Sequence, residues 1–219
     1  MIRLAITLCS LVLALFVGAL VIGPADMSLG QSLHALLAGG DGPMTLVMRE
    51  IRLPRAILGL LIGASLGLAG AAMQGYLRNP LADPGLIGVS GSAALGAVLS
   101  IQTGLAAAVA LALPMMALGG ALIGVLLVLL LAGPRGSSLT LILAGIAISA
   151  FAGALTSLVL NLSPNPYAAS EIVFWMMGSL ADRSMVHVWI ALPLILAGGL
   201  LLASLPRGLD ALTLGEDAA

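Results

Sequence analysis

The sequence predicts an all-α, polytopic transmembrane helix bundle, and two observations lead to this fold class. The 219 residues are 61% hydrophobic and only 8% charged, whereas a soluble globular domain carries about 25% charged residues. Several uncharged runs are each long enough to cross the roughly 30 Å hydrocarbon core of a bilayer. Because lipid cannot hydrogen-bond an exposed backbone, we expect these runs to cross it as helices.

We predict six spans, at residues 4–25, 56–77, 91–113, 115–131, 139–160 and 184–206. The first follows Arg3 and has 22 uncharged residues. A cleaved signal peptide usually has an apolar region of about 7–15 residues, so a retained span is favoured. The third and fourth spans share one long uncharged stretch, and Pro114 is the predicted break between them.

The run at residues 56–77 is the predicted centre of the bundle. It would extend about 33 Å as a helix. Small residues recur at every fourth position of this run, at Gly59, Gly63, Gly67, Ala71 and Gly75. That spacing lines one helix face with small side chains, so a neighbouring helix can approach closely.

The connections carry shorter predicted elements. Residues 26–55 are expected to form a linker with a short interfacial helix capped by Ser28. Residues 161–170 are expected to form a loop because of their prolines and turn-forming residues. Residues 171–183 should form a short helix that places Phe174 and Trp175 at the membrane interface.

Composition and motifs also limit the function classes. Eight basic and nine acidic residues give a net charge of −1, which argues against a nucleic-acid partner. No catalytic motif, metal-ligand spacing or cofactor motif is present, so we expect neither an enzyme nor a resident cofactor or metal. The predicted span interiors hold no Asp, Glu, Lys, Arg or His, which disfavours an ion-coupled carrier.

Two polar segments are candidate sites. Residues 49–55 contain three arginines at the entrance of a predicted span, where they could anchor the span to lipid headgroups or form a functional site. In residues 78–85 two prolines and a glycine predict a non-helical excursion, in which Asn79 and Asp83 can satisfy free backbone groups.

Several motifs together resemble the FecCD family of bacterial ABC-importer permeases for iron–siderophores, haem and cobalamin. They are RLPR at 52–55, MQGYLRNPLADPGLIGVSGSAALGAVL at 73–99, LILAGIAISA at 141–150, FWMMGSL at 174–180 and LDALTLGEDAA at 209–219. The resemblance implies a ten-span type II permease in the bacterial inner membrane, with a cytoplasmic N-terminus. It also implies three protein partners: an ATP-hydrolysing cassette subunit, a periplasmic or lipid-anchored substrate-binding protein, and a second permease copy or homologue.

The resemblance also assigns roles to individual residues. Arg52 and Arg55 would dock the binding protein. The cytoplasmic loop beside the translocation pathway would contain Asn79, Pro80, Asp83, Pro84 and Gly85, and the cytoplasmic gate would contain Ser137 and Ser138. Coupling to the ATPase would involve Leu209, Leu212, Leu214, Gly215 and Glu216.

The predicted function is that of a permease subunit which translocates a ferric siderophore or related metal chelate into the cytoplasm. Residues 1–219 would form a single permease domain, truncated at the C-terminus because six spans are present where the family has ten. Two alternatives stay open: a truncated membrane protein that does not transport, and a secondary carrier whose coupling site lies in missing sequence.

Overall fold

The computed structural model describes residues 2–23, 27–38, 42–134, 136–163 and 166–212, with the backbone alone at residues 207, 211 and 212. The described part is helical, without strands. The helices are α1 (Ile2–Val21), α2 (Leu29–Leu37), α3 (Pro43–Leu46), α4 (Leu53–Leu77), α5 (Val89–Gln102), α6 (Leu105–Ala108), α7 (Ala112–Ala132), α8 (Ser138–Asn161), α9 (Pro166–Met176), α10 (Met185–Ala203) and α11 (Pro206–Leu212). A π-helical segment, Val47–Arg52, joins α3 to α4, and a 3₁₀ turn, Pro84–Ile87, precedes α5.

Five helical stretches of the described chain are long and apolar enough to cross a membrane. They are α1, the continuous stretch Pro43–Leu77, α7, α8 and α10. The predicted all-helical polytopic fold is therefore confirmed. The predicted third span differs, because α5 has only 14 residues.

The break between the third and fourth predicted spans was placed wrongly. The chain leaves the helix after Gln102 and turns at Gly104, whose φ of 73° favours glycine. Pro114 is the third residue of α7. Proline is tolerated in the first turn of a helix because the N–H that it lacks would have no partner there. The helix therefore passes through the proline.

The predicted linker at residues 26–55 is mostly helical. Ser28 caps α2 as expected, with its Oγ accepting from the Gln31 backbone N–H at 3.3 Å and the Gln31 side chain accepting from the Ser28 N–H. The π-helical segment ends at Arg52, two residues before Pro54, which is the second residue of α4. Proline cannot donate to the carbonyl one turn before it and crowds that carbonyl, and a π turn is one way to accommodate this.

The predicted loop at residues 161–170 is wrong in its second half. Pro166 is the first residue of α9, which ends at Met176 rather than near residue 183. Ile172 of α9 is fully buried against Val98 and Ile101 of α5, and Trp175 packs on the same cluster. Phe174 remains 72% exposed.

The chain divides into two compact units. One contains residues 1–68 and 180–205, and the other contains residues 69–179 and 206–219. In the first unit, α2 and the π-helical segment contact each other and both contact α1 and α3. Leu68 of α4 approaches Gly199 of α10. In the second unit, α5, α7 and α8 all contact one another.

Two helices of the second unit, α5 and α7, cross at very short range. A Cβ atom at Gly96 would overlap the Met116 carbonyl oxygen, and one at Gly120 would overlap the Ser92 carbonyl oxygen. Small residues at spacing four on both helices make this approach possible. On α7 these small residues are Gly120 and Gly124, both of which lie beside Ser92 of α5.

Candidate docking, loop and coupling sites

Three arginines lie in or beside the π-helical segment, and their surroundings differ. Arg52 is only 6% exposed, and its Nη1 donates to the carbonyl oxygens of Leu20 at 3.0 Å and Val21 at 2.7 Å. Arg49 is exposed and donates from Nη2 to the Leu36 carbonyl oxygen at 2.8 Å. Arg55 is exposed. Of the two residues predicted to dock a partner, only Arg55 therefore offers its side chain at the surface.

Arg55 also lines a groove of about 570 Å³ in the first unit. The rest of the lining is apolar and comes from α1, α4 and Leu180: Val12, Leu15, Phe16, Ala19, Ala56, Gly59, Leu60, Gly63, Ala64 and Leu180. The small face of α4 forms part of this groove. A Cβ atom at Gly63 or Gly67 would meet nothing within 4 Å.

The remaining two glycines of that face have neighbours. A Cβ atom at Gly59 would lie 3.7 Å from Leu180 Cδ1, and one at Gly75 would lie 3.9 Å from Leu209 Cδ2. These are ordinary contact distances, unlike the overlap at the crossing of α5 and α7. The helix-packing role predicted for Gly59, Gly63, Gly67 and Gly75 stays a prediction.

The segment at residues 78–85 leaves the helix, as predicted. Arg78 has a φ of 49°, and Asn79 Oδ1 accepts from the Leu81 backbone N–H at 2.9 Å. Asp83 caps the 3₁₀ turn, with its Oδ1 accepting from the Gly85 N–H at 2.7 Å. The two polar side chains thus stabilise the two ends of one loop.

This loop borders a cavity of about 130 Å³ in the second unit. Asn79 and Ala82 line it together with residues of α4, the 3₁₀ turn and α8. Pro80 and Gly85 are exposed and Pro84 is half-buried. The loop is fixed against α8 at Gly145, where a Cβ atom would lie 2.8 Å from Ile87 Cα.

The predicted gate residues lie at the start of α8. Ser137 is the N-cap, and its Oγ accepts from the Thr140 N–H at 3.3 Å and lies 3.1 Å from Thr140 Oγ1. Ser138 is the first helical residue. Their observed contacts are those of a helix start, and their gating role stays a prediction.

The predicted coupling residues lie in and after α11. Leu209 is half-buried near Gly75 of α4, and Leu212 ends the helix. Leu214, Gly215 and Glu216 lie outside the described residues. Within the part of the chain that is described, no group of three His, Cys, Asp or Glu side chains could hold a metal ion.

Sequence reasoning missed two features of these sites. It did not assign Arg49 and Arg52 to the ends of earlier helices, since no local pattern links residues 13 to 32 positions apart. It also missed Gly88, Ser92 and Gly96, whose spacing of four matches that of Gly120 and Gly124. This repeat of small residues could have predicted the close crossing of α5 and α7.

These features define a polytopic helical membrane protein with a polar loop and a short helix, α11, outside its membrane-length helices. The chain belongs to the FecCD transport family, whose model matches residues 11–219. It is 41% identical over 187 residues to the uncharacterized ABC transporter permease protein YvrB of Bacillus subtilis strain 168, an alignment that covers 83% of this chain and 52% of YvrB. It is 37% identical over 212 residues to the ferric enterobactin transport system permease protein FepD of Escherichia coli strain K12, with 92% and 60% of the two chains covered.

A solved structure also resembles this chain. It is an inward-facing conformation of a metal-chelate type ABC transporter, with a TM-score of 0.84 and 30% sequence identity. The match covers 99% of this chain and 66% of that one. The chain spans about half to three fifths of the length of YvrB and FepD.

Proposed function

We propose that this chain is a permease subunit of an ATP-driven importer that carries a metal chelate, such as a ferric siderophore, across the bacterial inner membrane. The main observation that supports this proposal is the match of the family model to residues 11–219. The relatives include permeases for ferric enterobactin, cobalamin and iron(3+)-hydroxamate import. Their shared feature is a large metal-containing cargo.

The distribution of charge supports an external energy source. In α1, α4 and α10 the charged residues and histidines lie within the first three positions, at Arg3, Arg55 and His187, and α7 and α8 contain none. A proton- or ion-coupled carrier usually places ionisable groups at membrane depth. We therefore assign energy input to a separate ATP-hydrolysing subunit, which would shift the bundle between outward- and inward-facing states.

The proposal includes an orientation and a set of partners. The N-terminus would face the cytoplasm, as would the loop at residues 78–85, Ser137 and Ser138, and α11. The π-helical segment would face the periplasm and a substrate-binding protein. A second permease copy or a homologue would complete the passage.

Uptake in the native host tests the function. Cells with the gene deleted, and cells with it restored, are given a ⁵⁵Fe-labelled hydroxamate, a ⁵⁵Fe-labelled catecholate and ⁵⁷Co-labelled cobalamin in turn. We expect deletion to abolish accumulation of at least one chelate and the restored gene to recover it. Unchanged uptake of all three would overturn the assignment.

The energy source is tested in spheroplasts of the same cells supplied with their periplasmic extract, so that only passage across the inner membrane is measured. Arsenate, which depletes ATP, should stop the gene-dependent uptake, whereas an uncoupler applied while ATP is maintained should leave it intact. Uptake that collapses with the uncoupler alone would instead support the secondary carrier.

A further inference from the structure

Arg52 occupies the C-terminal end of α1. Leu20 and Val21 are the last two residues of that helix, so their carbonyl groups have no partner within it. Both carbonyls accept from Arg52 Nη1, at 3.0 and 2.7 Å. A guanidinium suits this position because the end of a helix carries partial negative charge and charge-assisted hydrogen bonds are strong.

The second residue after α1, Gly23, leaves room for this contact. A Cβ atom at Gly23 would lie 2.8 Å from Arg52 Nη2 and 3.0 Å from its Cζ. Any larger residue at position 23 would therefore push against the guanidinium. The guanidinium, the flexible end of the Arg52 side chain, would have to shift from its present position to make room.

Arg49 makes the equivalent contact with the next helix. Its Nη2 donates to the Leu36 carbonyl oxygen, one residue before the end of α2. The base of both arginines is anchored, since Met48 is only 1% exposed and Pro54 is fully buried. Two arginines of the π-helical segment thus hydrogen-bond to carbonyl groups at the C-terminal ends of α1 and α2.

We infer that Arg52 is a positioning residue that holds the end of α1 against the start of α4. The inference concerns the chain itself and is tested without any partner protein.

The test measures the distance between α1 and α3 in the full chain, held in lipid nanodiscs. Spin labels are placed at Val17→Cys and Leu46→Cys, both of which are exposed, after Cys9→Ser removes the native thiol. Pulsed dipolar spectroscopy then gives the distance distribution. We expect one narrow distribution for the chain with Arg52 intact.

Arg52→Gln should broaden this distribution. Loss of a charged hydrogen-bonding group should raise the population of displaced α1 roughly tenfold or more. Arg52→Lys should recover part of the narrow peak, because an ammonium still donates to the carbonyls but lacks the fork of the guanidinium. Gly23→Ala should also broaden the distance distribution, although it retains every charge. If the Arg52→Gln chain does not fold, Gly23→Ala serves as the test of the positioning role.

The matched control is Arg55→Gln, which removes the same charge three residues further along. It should leave the distribution unchanged, because Arg55 is exposed. A folded Arg52→Gln chain with a distribution as narrow as the parent's would overturn the positioning role. So would equal broadening by Arg55→Gln. Neither outcome depends on whether the protein transports a chelate.

Discussion

The three arginines show how one residue type takes different roles over seven positions. Arg49 and Arg52 are engaged by backbone carbonyls of α2 and α1. Arg55 is one residue beyond the buried Pro54 and is exposed. Because a partner can recognise only a charge that it reaches, Arg55 is the residue of this group on which to test docking.

We predict that Arg55→Glu slows association with the substrate-binding protein. An exposed ion pair contributes only about 0.2–1 kcal/mol, so equilibrium binding should weaken by less than about tenfold. Reversal of a rim charge acts mainly on the association rate. Association measured in nanodiscs across a salt series should be slower at low salt, with a flatter dependence on ionic strength.

The control for this reversal is Arg3→Glu, which makes the same charge change at the other end of α1, about 30 Å away along a 20-residue helix. It should leave association unchanged. If Arg55→Glu lowers membrane insertion while association per inserted molecule stays constant, Arg55 is a lipid anchor and the docking role is wrong.

Local side-chain chemistry was readable from the sequence, and longer-range partners were not. Ser28 was predicted as a cap and is one, because capping involves residues within one helical turn. The role of Asn79 and Asp83 in satisfying backbone groups was predicted for the same reason. The contact of Arg52 with Leu20 depends on the tertiary fold, which the sequence pattern did not specify.

At the scale of helices, the close crossing of α5 and α7 depends on glycines, which have no side chain to separate the two backbones. Met116, Gly120 and Gly124 of α7 face Ser92 and Gly96 of α5. In lipid, helix association relies on close packing rather than on exclusion of water. A single methyl group at the point of closest approach should therefore have a large effect.

We predict that Gly120→Ala destabilises the protein, although alanine is normally the better helix former. The added Cβ atom would overlap the Ser92 carbonyl oxygen, and overpacking costs about 1–3 kcal/mol. The neighbouring Gly119→Ala is the matched control, since a Cβ atom there meets nothing within 4 Å. Its stability should equal or exceed the parent's by up to about 1 kcal/mol.

Thermal unfolding in one detergent, followed by tryptophan fluorescence, compares the two variants. A lower midpoint for Gly120→Ala together with an unchanged midpoint for Gly119→Ala supports the crossing. Equal midpoints for both variants would show that α5 and α7 do not meet as described.

The number of membrane-length helices was nearly predictable, but one boundary was not. The long uncharged runs identified α1, α4, α7, α8 and α10. Hydropathy carries no boundary signal inside an apolar stretch, so the prediction relied on Pro114. The chain instead turns at Gly104, which has a positive φ. Pro114 lies in the first turn of α7, where a helix accepts a proline.

At the scale of the whole chain, the family assignment explains the arrangement better than any single site does. The motifs at residues 52–55 and 73–99 indicated the family, and the match over residues 11–219 confirms it. The open face of α4 at Gly63 and Gly67 has no close neighbour among the described residues. The spacing of the glycines alone therefore did not predict which positions of this face have close neighbours.

The last prediction concerns α11 and coupling to the ATP-hydrolysing subunit. Leu209 lies half-buried over Gly75, near the C-terminal end of α4. Burial of a leucine side chain contributes about 1.5–3 kcal/mol, and a carboxylate at the same position would be driven toward water. Leu209→Asp should therefore detach α11 from α4 and lower co-purification of the ATPase roughly tenfold, since about 1.4 kcal/mol corresponds to that factor.

Gly208→Ala provides the control, because a Cβ atom at this neighbouring position meets nothing within 4 Å. It should leave co-purification unchanged. Limited trypsin digestion reports on the helix itself, since Arg207 lies in α11 and should be cut faster in Leu209→Asp. Faster cleavage with undiminished ATPase recovery would show that Leu209 holds α11 in place but that α11 does not couple to the ATPase. Unchanged cleavage would show that the contact with Gly75 does not hold the helix.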